Sequence, residues 1–194
     1  MYANATKKIY SRYSYMFVLF ALFASVDETE KSKGGDFIDI QNLYHSSKNL
    51  YQARVNYKEL IKELIGDRQL IVATAYVVKS DAVEGESAFF DALKKVGLEL
   101  RTKDLQIFAG GMKKADWDVG MAVDAIRMSD LIDVVILVTG DGDFVPLVEY
   151  LKWGKGRTVE VAAFSRSASA KIKEAADEFI ELEKIPRALL KIRK

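Results

Sequence analysis

Short, nearly unbroken apolar runs alternate along this chain with segments whose apolar residues recur every three or four positions. The runs are QLIVATAYVV (69–78), IDVVILVTG (132–140) and TVEVAAF (158–164), with a shorter one at FIDI (37–40). A strand that is apolar at nearly every position is covered on both faces. YKELIKELI (57–65) places Leu60, Ile61, Leu64 and Ile65 at helical spacing. EGESAFFDALKKVG (84–97) reads as a helix stopped by Gly97. DWDVGMAVDAIRMS (116–129) reads as a helix with Trp117, Met121, Ala125 and Met128 among its apolar positions, and DFVPLVEYLKWG (143–154) as another. LELRTKDLQIFA (98–109) suggests a strand, a turn and a second short strand, and ASAKIKEAADEFIEL (168–182) a helix followed by a short strand. Strands alternating with helices predict βαβ units, and so an α/β fold with a mainly parallel central sheet.

The two ends break this pattern. Lys7, Lys8 and Arg12 precede the apolar run YMFVLFALFA (15–24), which has the charged start and apolar core of a signal peptide. The run falls short of the roughly 20 apolar residues of a membrane span, and Leu22 and Phe23 occupy positions where a cleavage site wants small residues. Residues 1–35 therefore read as an extension upstream of the domain, with VDETEKSKGGD (26–36) as a polar linker that leaves only Phe37 and Ile38 of the first strand before Asp39. No stable membrane insertion and a cytoplasmic location are expected. The stretch 183–194 is a basic, amphipathic tail, read by default as a terminal helix packed on the body.

Composition narrows the chemistry. The 29 basic and 28 acidic residues nearly cancel, so any contact with nucleic acid has to come from a local patch. With no cysteine and the single histidine His45, neither a zinc–thiolate site nor a histidine-rich metal site can be built. Carboxylates remain. In open α/β sheets ligands bind beyond the carboxyl ends of the strands, and acids gather there: Asp39 after the first strand with Asn42 three residues on, Asp141 and Asp143 after the fourth, and Asp116 and Asp118 at a helix start. Like charges held together raise one another's pKa. A divalent cation removes that conflict, and Mg²⁺ and Mn²⁺ favour carboxylate, carbonyl and water oxygens. Such a site suits phosphate-ester hydrolysis, in which the metal polarises a phosphoryl oxygen and activates water. Structural roles compete with this reading. Asp143 and Asp116 could cap helices, Asp118 could complement a helix dipole, and Asp124 points away from Asp118 as a structural candidate. The glycines around Asp141 permit a tight turn and close ligand approach.

FIDIQNLYHS (37–46), KKADWDVGMAVDAI (113–126) and VVILVTGDGDFVPLVEYLKWGKGRTVEVAAF (134–164) together resemble the NYN domain, in particular its LabA-like branch. The resemblance covers 36–182. It implies a three-layer α/β/α, PIN-like fold and an acidic pocket binding Mg²⁺ or Mn²⁺, and its relatives include endoribonucleases. Carried onto this chain, it makes Asp39, Asp118, Asp141 and Asp143 the metal-binding and catalytic acids and Asn42 their polar companion.

The expected function is divalent-metal-dependent hydrolysis of RNA phosphodiester bonds. The alternative is an RNA- or nucleotide-binding regulatory module with weak or no turnover. Asn42 is expected to orient a water or phosphate, Thr139 to bond a phosphate oxygen, and Lys113 and Lys114, with Lys152, Lys155 and Arg166, to meet substrate charge. RNA is the expected partner, and a homodimer is compatible with a small α/β domain.

Overall fold

Six strands form one parallel sheet in the order β4-β3-β1-β7-β8-β9. The computed structural model describes residues 31–79, 85–107, 113–114 and 116–192; the apolar run 15–24 and the side chains of Lys113 and Lys114 lie outside the described residues. The sheet strands are β1 (Lys33–Asp39), β3 (Gln69–Lys79), β4 (Glu99–Asp104), β7 (Val134–Val138), β8 (Thr158–Ala163) and β9 (Glu178–Glu181). Two small antiparallel pairs accompany them. β2 (Ala53–Val55) pairs with β10 (Leu189–Lys191), and β5 (Gln106–Ile107) pairs with β6 (Lys113–Lys114). The helices are α1 (Ile40–Tyr51), α2 (Tyr57–Ile65), α3 (Glu86–Lys95), α4 (Asp118–Met128), α5 (Val145–Glu149) and α6 (Ala170–Ala175). Among the described residues no helix is long and apolar enough to cross a membrane.

The sheet separates two apolar cores, and strand alternation assigns residues to each. On one side Ile38, Ala73, Ala75, Ile136, Val138 and Ala162 pack under Leu43 of α1 and Leu60 and Leu64 of α2. On the other, Phe37, Val135, Leu137, Val159 and Val161 meet Met121 and Ala125 of α4, Leu147 and Val148 of α5 and Ile172 of α6. All five residues of β7 are buried. That is why the segment reads as an unbroken apolar run, and each such aliphatic side chain contributes about 1.5–3 kcal/mol by leaving water.

Three local expectations are corrected. The polar segment KGGD (33–36) is strand and not linker: β1 pairs with β3 from Lys33 onward and with β7 from Gly34 onward. Its glycines belong in the sheet because neighbours fill the space a Cβ would need. A Cβ at Gly34 would stand 2.5 Å from Ile65 Cδ1, and one at Gly35 would stand 2.8 Å from Ile132 Cδ1 and 2.9 Å from Val72 Cγ1. The C-terminal stretch is not a helix. It docks as β10 on β2, in register Leu189↔Val55 to Lys191↔Ala53. The helix expected over 143–154 comes in three windings: a 3-10 turn at Gly142–Phe144, α5, and a π turn at Tyr150–Gly154.

Strand order places the site. β1 is flanked by β3 on one side and β7 on the other, so the direction of winding reverses between β1 and β7. The carboxyl ends of strands at such a reversal frame a crevice that the connecting loops cannot close. Ile38 is paired with Val138. Asp39 and Thr139 therefore leave the sheet side by side.

Candidate acidic site at the sheet switch point

Asp39 ends β1 and caps α1. Its Oδ1 accepts from the Asn42 backbone N–H at 3.0 Å, as an aspartate at a helix N-cap does. The Thr139 hydroxyl donates to Asp39 Oδ2 at 3.5 Å and accepts from the Asp141 N–H at 3.3 Å. Asn42 reaches across the crevice, its Oδ1 accepting from the Gly140 N–H at 3.1 Å. The ends of β1 and β7 are thus tied by side chains from both. Thr139 and Asn42 occupy this internal lattice. Thr139 is fully buried between the two acids instead of facing outward to a phosphate.

Asp141 caps the turn that follows. Its Oδ1 accepts from the Asp143 N–H at 2.9 Å, so Asp141 and not Asp143 is the capping residue here, and Asp143 stands exposed in the first turn. Gly140 has a packing reason of its own: a Cβ there would lie 3.0 Å from the Ala168 Cα. The space beside it is filled by the β8–α6 loop and not kept for a ligand.

Asp118 arrives from the other side of the sheet as the first residue of α4. The residue before it sets its position. Trp117 Nε1 donates to the Val77 carbonyl of β3 at 2.9 Å, and the indole packs on the Tyr76 ring at a centroid distance of 5.6 Å. No side chain caps this helix, so Asp116, which is exposed, is not the N-cap that the sequence suggests. Trp117 reads in the sequence only as one of the helix's apolar positions. The adjacent DWD triplet was the available signal that an indole anchors an acid.

The electrostatics show that the acids share one neighbourhood. Burial pushes the Asp39 carboxyl above its ordinary pKa. The N–H groups of Asn42 and Gln41 pull it back, and the charge of Asp141 raises it again. Asp118 is raised by burial first and then by Asp116, Asp141, Asp39 and Asp143. Among the described residues, no lysine or arginine is ion-paired with Asp39, Asp118, Asp141 or Asp143. Asp124 takes the structural role expected of it. It accepts from Tyr76 Oη at 3.1 Å and pairs with Arg101 at 3.4 Å and Arg127 at 3.6 Å.

Two of the cations expected beside the site are elsewhere. Lys152 pairs with Asp177 at 2.9 Å and donates to the Ala175 carbonyl, and Lys155 pairs with Asp130 at 3.0 Å, just ahead of β7 and β8 at the opposite edge of the sheet. Their place in the chain, between a helix and the start of a strand, carries them away from the carboxyl ends. Arg166, on the loop after β8, is exposed at the near edge. Lys113 and Lys114 form β6, ahead of α4.

The donor set fits a divalent cation in kind. Every available ligand is an oxygen, neighbouring acids add to burial in raising the pKa of Asp39 and Asp118, and among the described residues no lysine or arginine is ion-paired with them. Among the described residues, however, no three acids already stand close enough to enclose an ion. Waters would have to complete the coordination, as Mg²⁺ commonly retains several.

Known proteins place the chain. The chain is 26% identical over 160 residues to the low amplitude and bright protein LabA of Synechococcus elongatus, an alignment covering 77% of this chain and 83% of that one. Its fold matches the crystal structure of VPA0982, a protein of unknown function from Vibrio parahaemolyticus, with a TM-score of 0.78 and 30% sequence identity, over 85% of this chain and 100% of the other. The model of the NYN domain matches residues 36–183, from the middle of β1 to the turn after β9, and the chain belongs to the NYN family.

Proposed function

We propose that this protein is a divalent-metal-dependent ribonuclease acting at the carboxyl edge of β1 and β7. One observation carries the reading: carboxylates from three separate segments, at Asp39, Asp118 and Asp141–Asp143, gather where strand order reverses, burial and then the neighbouring acids raise the pKa of Asp39 and Asp118, and no protein cation is paired to them among the described residues. Folding such a cluster costs free energy unless a ligand of opposite charge repays it.

Asp39, Asp118 and Asp141 would hold the ion, with Asp143 at the exposed rim. A bound Mg²⁺ or Mn²⁺ supplies positive charge to the phosphoryl oxygens and acidifies water. The chain's own residues do the positioning. Asp39 is fixed by the first turn of α1, Asp141 by its capping bond and by Thr139, and Asp118 by the Trp117 anchor. Asn42 ties the β7 loop to α1, which fixes the two central acids relative to each other.

The test is cleavage of end-labelled single-stranded RNA with Mn²⁺ and with chelator. Wild type is expected to cleave only with the metal, and Asp39→Asn or Asp141→Asn to lose at least about a hundredfold in rate while the circular dichroism spectrum stays unchanged. Undiminished cleavage by either variant would overturn the assignment. A second reading is an RNA-binding regulatory module with little turnover. It is favoured by the absence, among the described residues, of any three acids poised to enclose an ion. Metal-independent RNA binding with no cleavage in Mg²⁺ or Mn²⁺ would select it.

A further inference from the structure

Helix α1, whose first turn is capped by Asp39, carries an unusual outward surface. Its other apolar residues near that end are buried, Ile40 at 3% and Leu43 at 0% exposure, yet Tyr44 is 49% exposed. The phenol is held in place. His45 meets it edge-on, with ring centroids 5.5 Å apart and planes at 74°. Lys48 Nζ donates to Tyr44 Oη at 3.3 Å and lies 5.4 Å from the ring centroid, which puts the ammonium near the phenolic end and not squarely over the face. The helix IQNLYHSSKNLY contains no acidic residue. Next to a pocket of carboxylates, its solvent side is neutral to cationic.

These features suit one kind of ligand. A fixed aromatic ring with open surface and a neighbouring ammonium is how proteins hold unpaired nucleobases and the phosphates beside them. Tyr44 lies five residues from Asp39 on one rigid helix, about 7.5 Å of rise. Five residues also turn about 140° around the helix axis, so a base stacked on Tyr44 would lie to one side of the nucleotide whose phosphate occupies the acidic crevice. A Ser167–Ser46 hydrogen bond of 2.9 Å ties this helix to the loop carrying Arg166, a second exposed cation at the same edge.

We propose that Tyr44, supported by His45 and Lys48, is a base-stacking subsite for an unpaired nucleotide flanking the bond to be cut. The subsite makes single-stranded RNA the preferred ligand over a duplex, whose base faces are already stacked. It rests on the ribonuclease reading above.

The experiment measures binding of a short fluorescein-labelled oligouridylate and of a blunt RNA duplex by anisotropy, in Ca²⁺ and without Mg²⁺ or Mn²⁺. Tyr44→Ala is expected to weaken single-strand binding roughly 5- to 150-fold and leave duplex binding unchanged. Tyr44→Phe, which keeps the ring, should bind within about twofold of wild type. Lys48→Ala should weaken both ligands alike and reduce the salt dependence by about one phosphate contact. Tyr44→Ala binding the single strand as wild type does, or losing single strand and duplex equally, overturns the subsite. Failure of wild type to bind or cleave any RNA overturns the ribonuclease reading itself. The two failures are therefore separable.

Discussion

Replacing Asp36 with valine should stabilise this protein, and by an amount that grows with pH. Asp36 lies in the middle of β1, 0% exposed, and neither carboxylate oxygen has a hydrogen-bond partner. Its neighbours explain the predicament. Glu160 of β8 shares its register level through Ile136 of β7, and Arg68 makes a two-pronged pair with Glu160. One guanidinium neutralises one carboxylate, and the second carboxylate can stay buried only by keeping its proton. Burial, opposed by Arg68 and reinforced by Glu160, pushes Asp36 from its ordinary 3.8 up to about 7. Between those two values the folded chain holds a proton that the unfolded chain has released. Its contribution to stability is fully present below about pH 4 and is lost as pH rises through 7. At about 1.4 kcal/mol for each pH unit of that interval, the full swing is roughly 4 kcal/mol. Valine suits a strand interior, leaves the Arg68–Glu160 pair intact and does not titrate. Urea unfolding of wild type and Asp36→Val, followed by tryptophan fluorescence between pH 5 and pH 8, measures the difference. It should widen in favour of the variant as pH rises, by up to roughly 3 kcal/mol across that range. A difference that does not change with pH, or a variant less stable than wild type at pH 8, would refute the reasoning.

Other predictions test the site's supports. Trp117→Phe removes the indole donor to the Val77 carbonyl but keeps an aromatic ring; it should cost about 1 kcal/mol of stability and raise the Mn²⁺ concentration for half-maximal cleavage several-fold, read from a metal titration. Arg68→Leu leaves Glu160 buried and unpaired beside Asp36; a loss of about 3–5 kcal/mol in urea unfolding is expected, and combining it with Asp36→Val should recover part of that. Mn²⁺ should raise the melting temperature of wild type in a concentration-dependent way, since a ligand of the folded state stabilises it by mass action, and Asp141→Asn should abolish that rise in the same scan.

How much of this molecule could be read from its residues depends on how far each determinant reaches along the chain. β7 was legible because every one of its side chains is buried, which leaves a contiguous apolar record. Asp39 and Asp141 were legible because an acid directly after a buried strand is a local irregularity, and the parallel reading says where such ends meet. The missed features each depend on a partner distant in sequence. Trp117 anchors to a carbonyl 40 residues away, and β10 pairs with a strand in the first third of the chain. Lys152 and Lys155 answer to Asp177 and Asp130. The first strand failed for a related reason: its glycines are small because Ile65, Val72 and Ile132 press against them, and nothing within KSKGGD records those neighbours.

Asp36 and Asp39 bring the point to a single strand. They are the same residue type three positions apart on β1, and composition treats them alike. Asp39 leaves the sheet at the switch point, where burial raises its pKa and the first N–H groups of α1 partly offset that rise by bonding its carboxylate. Asp36 sits where the strand's own N–H groups are committed to β3 and β7, and nothing remains to bond its oxygens. Position along a parallel strand therefore decides what a carboxylate does in this fold. At the carboxyl end it can meet a ligand, and three positions earlier it is a buried carboxyl whose charged form the core disfavours.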